Sequence, residues 1–561
     1  MRTKLGTMRR STWGAALSGL LAATLAGAAC TSTTRPADDL AAVDPQARAF
    51  LRHIPADTPY ALVGAGAGAR ELLEKVAPVL EPVLELVGRE LAAHIDPTLA
   101  EALALELRGR LSPAGLDQLG IDVDARYAIY GLGLLPALRV QVREPAALEA
   151  ALWRVAQAAG PALVAKRRDG YDYWELRAGS LAVLVAVVED QLVVGMAPSG
   201  LRDRVFALLL GQELPARDLG SSARYQQLAE VYGLGERGAG FIDGRVLAEA
   251  LLGEGDALNR DVAAALAPEL AAGWPGLGAD CKQQIRSLVA LAPRVVFGSE
   301  ALGGDGFTGK LVLELRPDLA QELMSMRAAV PGLTPAQQAG AMVAIGAGLD
   351  LDRALRFLAD RGGAVQRAPY GCPTLAPLNA ANDRMLARLA ELPGAARKAR
   401  GFTFVLEELA DFNAVPTAIR GFATLAHGDP KLVVAELRTT SGLEALDMPD
   451  DGTVRAGPGY LRPAISEFAY GALAGRGLVF AIGEDSQARA SALLSAPELA
   501  EPPLLRMHYD ARRLAALLGK RPVDGDDMRR LLAVLAVLDS LGHEALATPR
   551  GLEVRTQLKL R

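Results

Sequence analysis

The chain has 561 residues, with 60 Lys and Arg against 65 Asp and Glu, so its formal charge is −5; half of it is hydrophobic, 22% is charged and only 5% is aromatic. That balance excludes an intrinsically disordered chain, and the acidic excess speaks against nucleic acid and against electrostatic docking on anionic lipid. Few aromatics leave little for stacking platforms, so the cores must be filled mainly by Leu, Val and Ala.

The chain opens with Arg2, Lys4, Arg9 and Arg10, followed by an apolar segment from Trp13 to Gly27 that stops at Ala28-Ala29-Cys30. The start resembles a bacterial lipoprotein leader, too short to span a bilayer and closed by small residues that suit a peptidase. Residues 1–29 are therefore expected to leave as a signal peptide and Cys30 to carry a lipid, although Gly27 stands where such leaders usually have Leu. Losing four basic residues leaves a mature chain of −9. Residues 30–49, beginning Thr31-Ser32-Thr33-Thr34, read as a flexible tether. Thr31, where the retention rule would require Asp, points to the periplasmic face of the outer membrane. The membrane is thus the expected partner, reached through the lipid on Cys30.

From Phe50 the chain becomes rhythmic. Tyr60 to Val63 reads as a strand, and 70–108 as a helical region broken near Pro78, Pro82 and Pro97. Tyr127 to Leu134 and Ala137 to Val142 follow as strands, and Pro145 suits the first position of a helix running to Ala159. Asp169-Gly170 marks a hairpin, Leu181 to Val188 and Leu192 to Met196 form another, and a helix is predicted over 201–210.

The strongest internal signal is repetition. Leu192-Val-Val-Gly-Met returns as Leu478-Val-Phe-Ala-Ile, Phe241-Ile-Asp243-Gly-Arg245 as His508-Tyr-Asp510-Ala-Arg512, and Ser299-Glu-Ala-Leu as His543-Glu-Ala-Leu. Upstream, Tyr60-Ala-Leu-Val-Gly-Ala-Gly pairs with Met342-Val-Ala-Ile-Gly-Ala-Gly348. Ordered matches predict a duplicated domain: a first α+β copy at 50–316, a connector at 317–340 with a helix near Asp318 to Met326, and a second copy at 341–561. Each copy is expected to be an antiparallel sheet with amphipathic helices packed on it.

The turn Ile54-Pro55-Ala56-Asp57-Thr58-Pro59-Tyr60, together with Tyr130-Gly-Leu-Gly-Leu-Leu-Pro136 and Leu375-Ala-Pro-Leu-Asn379, resembles a large uncharacterised family of predicted proteobacterial lipoproteins. The resemblance implies an α+β fold and a periplasmic address. It brings no activity, ligand or active-site residues.

Compact chemistry is scarce. Gly64-Ala65-Gly66-Ala67-Gly68-Ala69 follows a strand, but no second strand ending in an acid comes after it, so a tight turn is expected in preference to a dinucleotide site. His53, His94, His427, His508 and His543 lack the spacing of a zinc site, and no Gly-x-Ser-x-Gly elbow is present. His508 stands beside Asp510 where the first copy has Phe241, which suggests a core or edge position. Asp243 with Arg245 and Asp510 with Arg512 recur at a strand-to-helix passage, as ligand-anchoring pairs or as helix caps. Cys281 and Cys372 are expected to form a disulfide tying the two copies together. No catalytic residue, metal or cofactor is expected. The reading is a lipid-anchored periplasmic binding or interaction protein with a protein partner or an apolar ligand; a periplasmic hydrolase with a dispersed active site and a carrier of an apolar ligand are the alternatives.

Overall fold

In a computed structural model of the protein the described residues are 49–66, 70–76, 96–234, 238–270, 277–338, 340–410, 419–439, 448, 451–457, 468–473, 476–520 and 526–561. The leader, Cys30, nearly all of the tether, Pro78, Pro82, His94 and positions 67–69 lie outside them. The chain mixes helices with antiparallel strands and divides into two compact units, Met1–Gly276 with Arg294–Gly309, and Leu277–Pro293 with Lys310–Arg561.

In the first unit the strands are β1 (Tyr60–Ala65), β2 (Arg126–Leu132), β3 (Leu135–Gln141), β4 (Val164–Arg168), β5 (Tyr171–Ala178), β6 (Leu181–Val188), β7 (Gln191–Pro198), β8 (Ala239–Asp243) and β9 (Arg294–Gly303). All pair antiparallel in the order β9-β8-β1-β2-β3-β7-β6-β5-β4. The β4–β5 turn places Asp169 at φ 48° and Gly170 at φ 93°, the left-handed pair that a two-residue hairpin demands. The unit's helices include α1 (Pro97–Leu107), α2 (Pro145–Ala159), α3 (Arg202–Leu209), α4 (Ala223–Tyr232), α5 (Gly244–Leu251) and α6 (Ala257–Leu270). Proline at the first position and an Asp96 cap start α1, and its Leu99 and Ala102 pack with Val155 and Ala159 of α2 over the buried Trp174. Gly66 needs its missing side chain, because a Cβ there would stand 2.5 Å from the Val123 carbonyl oxygen. Close approach of backbone accounts for that glycine.

The second unit begins with α7 (Ala279–Val289) and takes up the chain again within β10 (Gly306–Glu314). Its remaining strands are β11 (Val343–Gly348), β12 (Ala399–Leu409), β13 (Ile419–His427), β14 (Val454–Ala456), β15 (Phe468–Leu473), β16 (Gly477–Ile482), β17 (Leu505–Asp510), β18 (Leu538–Thr548) and β19 (Gly551–Leu560). They pair antiparallel as β19-β18-β17-β11-β12-β13-β16-β15-β14. From β18 to β14 this is the order from β9 to β5. The unit's further helices include α8 (Leu351–Arg367), α9 (Ala376–Glu391), α10 (Pro430–Leu437), α11 (Ser486–Leu494) and α12 (Ala511–Leu518). One sheet face buries Ala344, Val405, Phe422 and Ala481 against Ala490 and Leu493 of α11. On the other, Phe402 and Phe404 stay nearly half exposed.

The units depart from the expected division in two ways. Residues 277–293 and 310–316 leave the first copy, and 317–340, expected as a connector, belongs to the second unit. Hydrogen bonds explain the second departure: Ala328 N donates to Gly348 O (3.2 Å) and Asp350 N to Met326 O (2.7 Å), stitching that segment to β11. The disulfide between Cys281 and Cys372, with Cα atoms 4.8 Å apart across 91 residues, therefore lies wholly inside the second unit. It fastens α7 to the α8–α9 hairpin and does not tie the units to one another.

Hydrogen-bond register tests the sequence matches strand by strand. Phe241 faces Ala61 and His508 faces Ala344, so Ala61 and Ala344, both buried, occupy corresponding places. The sequence match had set Ala61 against Val343, a slip of one residue that would turn every side chain to the wrong face. Stepping across the sheet from Ala61 reaches Gly195, and from Ala344 reaches Ala481, three residues beyond Leu192 and Leu478. That match keeps register. The β9–β18 match is two residues out, since Val296 faces Phe241 while Gly542 faces His508.

Leu552, Val554, Thr556, Leu558 and Leu560 alternate with charged and polar residues along the last strand, and of that set Leu560 is buried while the other four are half-buried. Glu553, on the alternate set of positions, is buried and bonded to Arg555 at 2.6 Å.

Candidate functional site

The turn 54–60 is nailed down by its own backbone. Ala56 N donates to Arg217 O (2.9 Å), Asp243 N to Pro59 O (2.8 Å), and Gly131 N to the buried Thr58 Oγ1 (3.0 Å). Prolines at 55 and 59 have no N–H to satisfy and Thr58 N donates to Pro55 O (3.1 Å), so the segment crosses from the Arg217 loop to β8 and β2 with few donors to place. Asp57 is thereby held at the edge of the β8–α5 passage.

At that passage Asp243, only 4% exposed, caps α5 by accepting from Arg245 N (3.1 Å) and Val246 N (3.2 Å). Its other oxygen takes Arg224 at 2.9 Å. Arg224 also donates to the carbonyls of Ala56 and Thr58 and lies over the Phe241 ring. Arg224 sits in the first turn of α4, where the helix dipole repels a cation, so the ion pair with Asp243 offsets an unfavourable placement. Ser222 caps α4 through the Arg224 amide (3.2 Å).

These elements line an open cleft of about 510 Å³ in the first unit, with Asp57, Arg217, Arg224, Asp243, Arg245 and Glu249 among its walls. Among the described residues, the side chains of Arg217, Arg245 and Glu249 have no partner, and all three are exposed. Beside the cleft, burial lowers the Arg294 guanidinium's pKa, Asp243 opposes that, and the like charge of Arg245 adds to the lowering. Asp57 is hydrogen-bonded to Asp256. Burial raises the Asp256 pKa, the Asn259 amide works against the rise, and the carboxyl of Asp57 reinforces it.

Asp243 and Arg245 are therefore not a charge pair: the carboxylate takes the Arg245 amide and pairs with Arg224 instead. The same holds in the second unit. Asp510 caps α12 by accepting from Arg513 N (2.9 Å), while Arg512 bonds Asp539 (2.7 Å) on the surface. Residues two apart across a helix start do not face one another. Arg513 takes the bracing role of Arg224, reaching Gly340 O (2.6 Å) and Glu407 O. Residues 495–504, at the place α4 holds in the first unit, contain no helix, so the second unit lacks that wall of the cleft. Its Gly348 is explained as Gly66 is, by a Cβ position 2.3 Å from the Ala328 carbonyl.

A second polar group lies in the first unit's core. Arg139, 1% exposed, donates to Tyr130 Oη (3.2 Å), Gln191 Oε1 (3.0 Å) and Leu209 O (2.5 Å), all neutral. His53, 6% exposed, has an unpaired Nδ1; burial first, then Arg139 and Arg52, push its pKa down to about 3. His427 is buried and satisfied by Ala395 O (2.6 Å) and Asp429 N (2.9 Å). His508 lies mid-strand in β17, where burial lowers its pKa and Asp510 opposes.

Sequence reading placed Asp243 and Asp510 but missed Arg224, Arg217 and the Asp57–Asp256 contact. One signal for Arg224 was present: a basic residue two positions after the cap candidate Ser222, in the first turn of a helix, calls for a nearby acid. No family model, curated protein or solved structure matches the chain.

Proposed function

We propose that the chain is an exported, lipid-anchored binding protein built from a duplicated α+β unit, with the cleft of the first unit as its ligand site. The cleft carries the reading: a braced backbone presents uncommitted charged side chains in a space within the roughly 300–1,000 Å³ range of small-ligand sites. Corresponding strand orders and the β7–β16 and β8–β17 matches support the duplication. The leader ending at Cys30 and a disulfide suited to an oxidising compartment support export to the periplasmic face of the outer membrane.

Two measurements test this. Palmitate should label the wild type and not Cys30→Ala, and label persisting in the variant refutes the anchor. Native mass spectrometry of the full chain should show bound small molecule that Arg245→Ala reduces. A protein that stays empty against a metabolite extract refutes the binding reading.

A further inference from the structure

Resting on the binding reading above, we propose that the cleft takes a small zwitterion, a free amino acid or short peptide with unblocked termini. Its carboxylate meets Arg217 and Arg245, and its ammonium meets Glu249. The N-termini of α4 and α5 are already occupied by Ser222 and Asp243, Arg224 is committed to Asp243 and Asp57 to Asp256, so the charges left for a ligand are Arg217, Arg245 and Glu249. Two guanidiniums without an acid partner suit a carboxylate, which each can grip through paired N–H groups. Arg245 and Arg294 also press like charge on like charge, and an anion between Arg245 and Arg217 relieves that repulsion.

The acids decide what kind of anion. Asp243, Glu249 and Asp57 line the same cleft, so a phosphate dianion carries more charge than the arginines offset, whereas a carboxylate with a nearby ammonium uses both signs. Because the second unit has no counterpart of α4 and turns Arg512 to Asp539, the stoichiometry is one ligand per chain.

The test is calorimetry on the purified full chain with triglycine, N-acetyltriglycine, triglycinamide and inorganic phosphate, backed by the twenty free amino acids. Triglycine or a free amino acid should bind at one site per chain, with each blocked peptide and phosphate at least about tenfold weaker. Arg217→Ala and Arg245→Ala should each weaken binding by roughly ten- to a hundredfold, the effect of losing a hydrogen bond to a charged group. Both arginines are exposed and unpartnered, so their removal spares the fold, which unchanged thermal unfolding verifies. Phosphate or N-acetyltriglycine matching triglycine overturns the proposal, as do arginine variants of unchanged affinity or no binding to any free-termini probe. If native mass spectrometry still finds another small molecule that Arg245→Ala releases, the binding reading stands and the zwitterion alone fails.

Discussion

Replacing His53 by Gln should flatten the acid sensitivity of the first unit. In the folded chain the imidazole is buried beside the Arg139 cation and holds a proton only below about pH 3, against 6.5 when free. The fold thus opposes the charged form. Its stability is full above pH 6.5 and is lost as pH falls from there toward 3, because only the unfolded chain gains the proton. Each pH unit in that window costs about 1.4 kcal/mol, and integrating from pH 7 to pH 5 gives about 2 kcal/mol. Gln keeps an acceptor for Arg52, whose Nε lies 3.2 Å from His53 Nε2, and cannot titrate. Urea unfolding followed by tryptophan fluorescence isolates the effect, since Leu277–Pro293 and Lys310–Arg561 contain no Trp and the signal belongs to the first unit. Wild type should lose about 2 kcal/mol more than His53→Gln between pH 7 and pH 5. Equal losses would refute the account of a neutral, desolvated His53.

The remaining predictions concern caps, the disulfide and the last strand. Asp510→Ala should cost about 1 kcal/mol, the worth of an N-cap, whereas Asp243→Ala should cost clearly more because it also strands Arg224; denaturation that ranks them equally contradicts the ion pair. Asp243→Asn should fall between wild type and Asp243→Ala. Reducing Cys281–Cys372 removes a 91-residue loop constraint worth about 4–5 kcal/mol in the loop-entropy model, so limited proteolysis should open α7 and the α8–α9 hairpin while the first unit resists. Equal resistance with and without reductant would remove any role for the bond. Deleting 551–561 should strip β19 from the whole length of β18 and yield insoluble protein; a soluble truncation with unchanged unfolding would show the strand to be dispensable.

Local signals in the sequence carried well into the structure. Pro145 opens a helix that ends at Ala159 as its periodicity requires, and Asp169-Gly170 makes the hairpin its chemistry demands. Strand neighbours were less legible, because pairing depends on partners far along the chain. The β1–β11 comparison shows why: a shared Gly-Ala-Gly invited an alignment one residue out, and only the partners Phe241 and His508 fix the register. At the cleft, the cap residues were visible because capping is local. Arg217 and Asp57 were not, since what brings them together is a backbone bond between Ala56 and Arg217 across 161 positions.

The chain's path through the two units has a bearing on how the protein comes to be made. Residues of α7 leave the ribosome before β9, yet α7 packs with the second unit and β9 completes the first. An emerging chain therefore carries the first unit unfinished, with the β8 edge unpaired, until it has passed through a piece whose own partners are still unsynthesised. For the same reason, cutting between Arg316 and Pro317 would free neither unit whole. A dissection that respects both must move the segment 277–293, not merely choose a boundary.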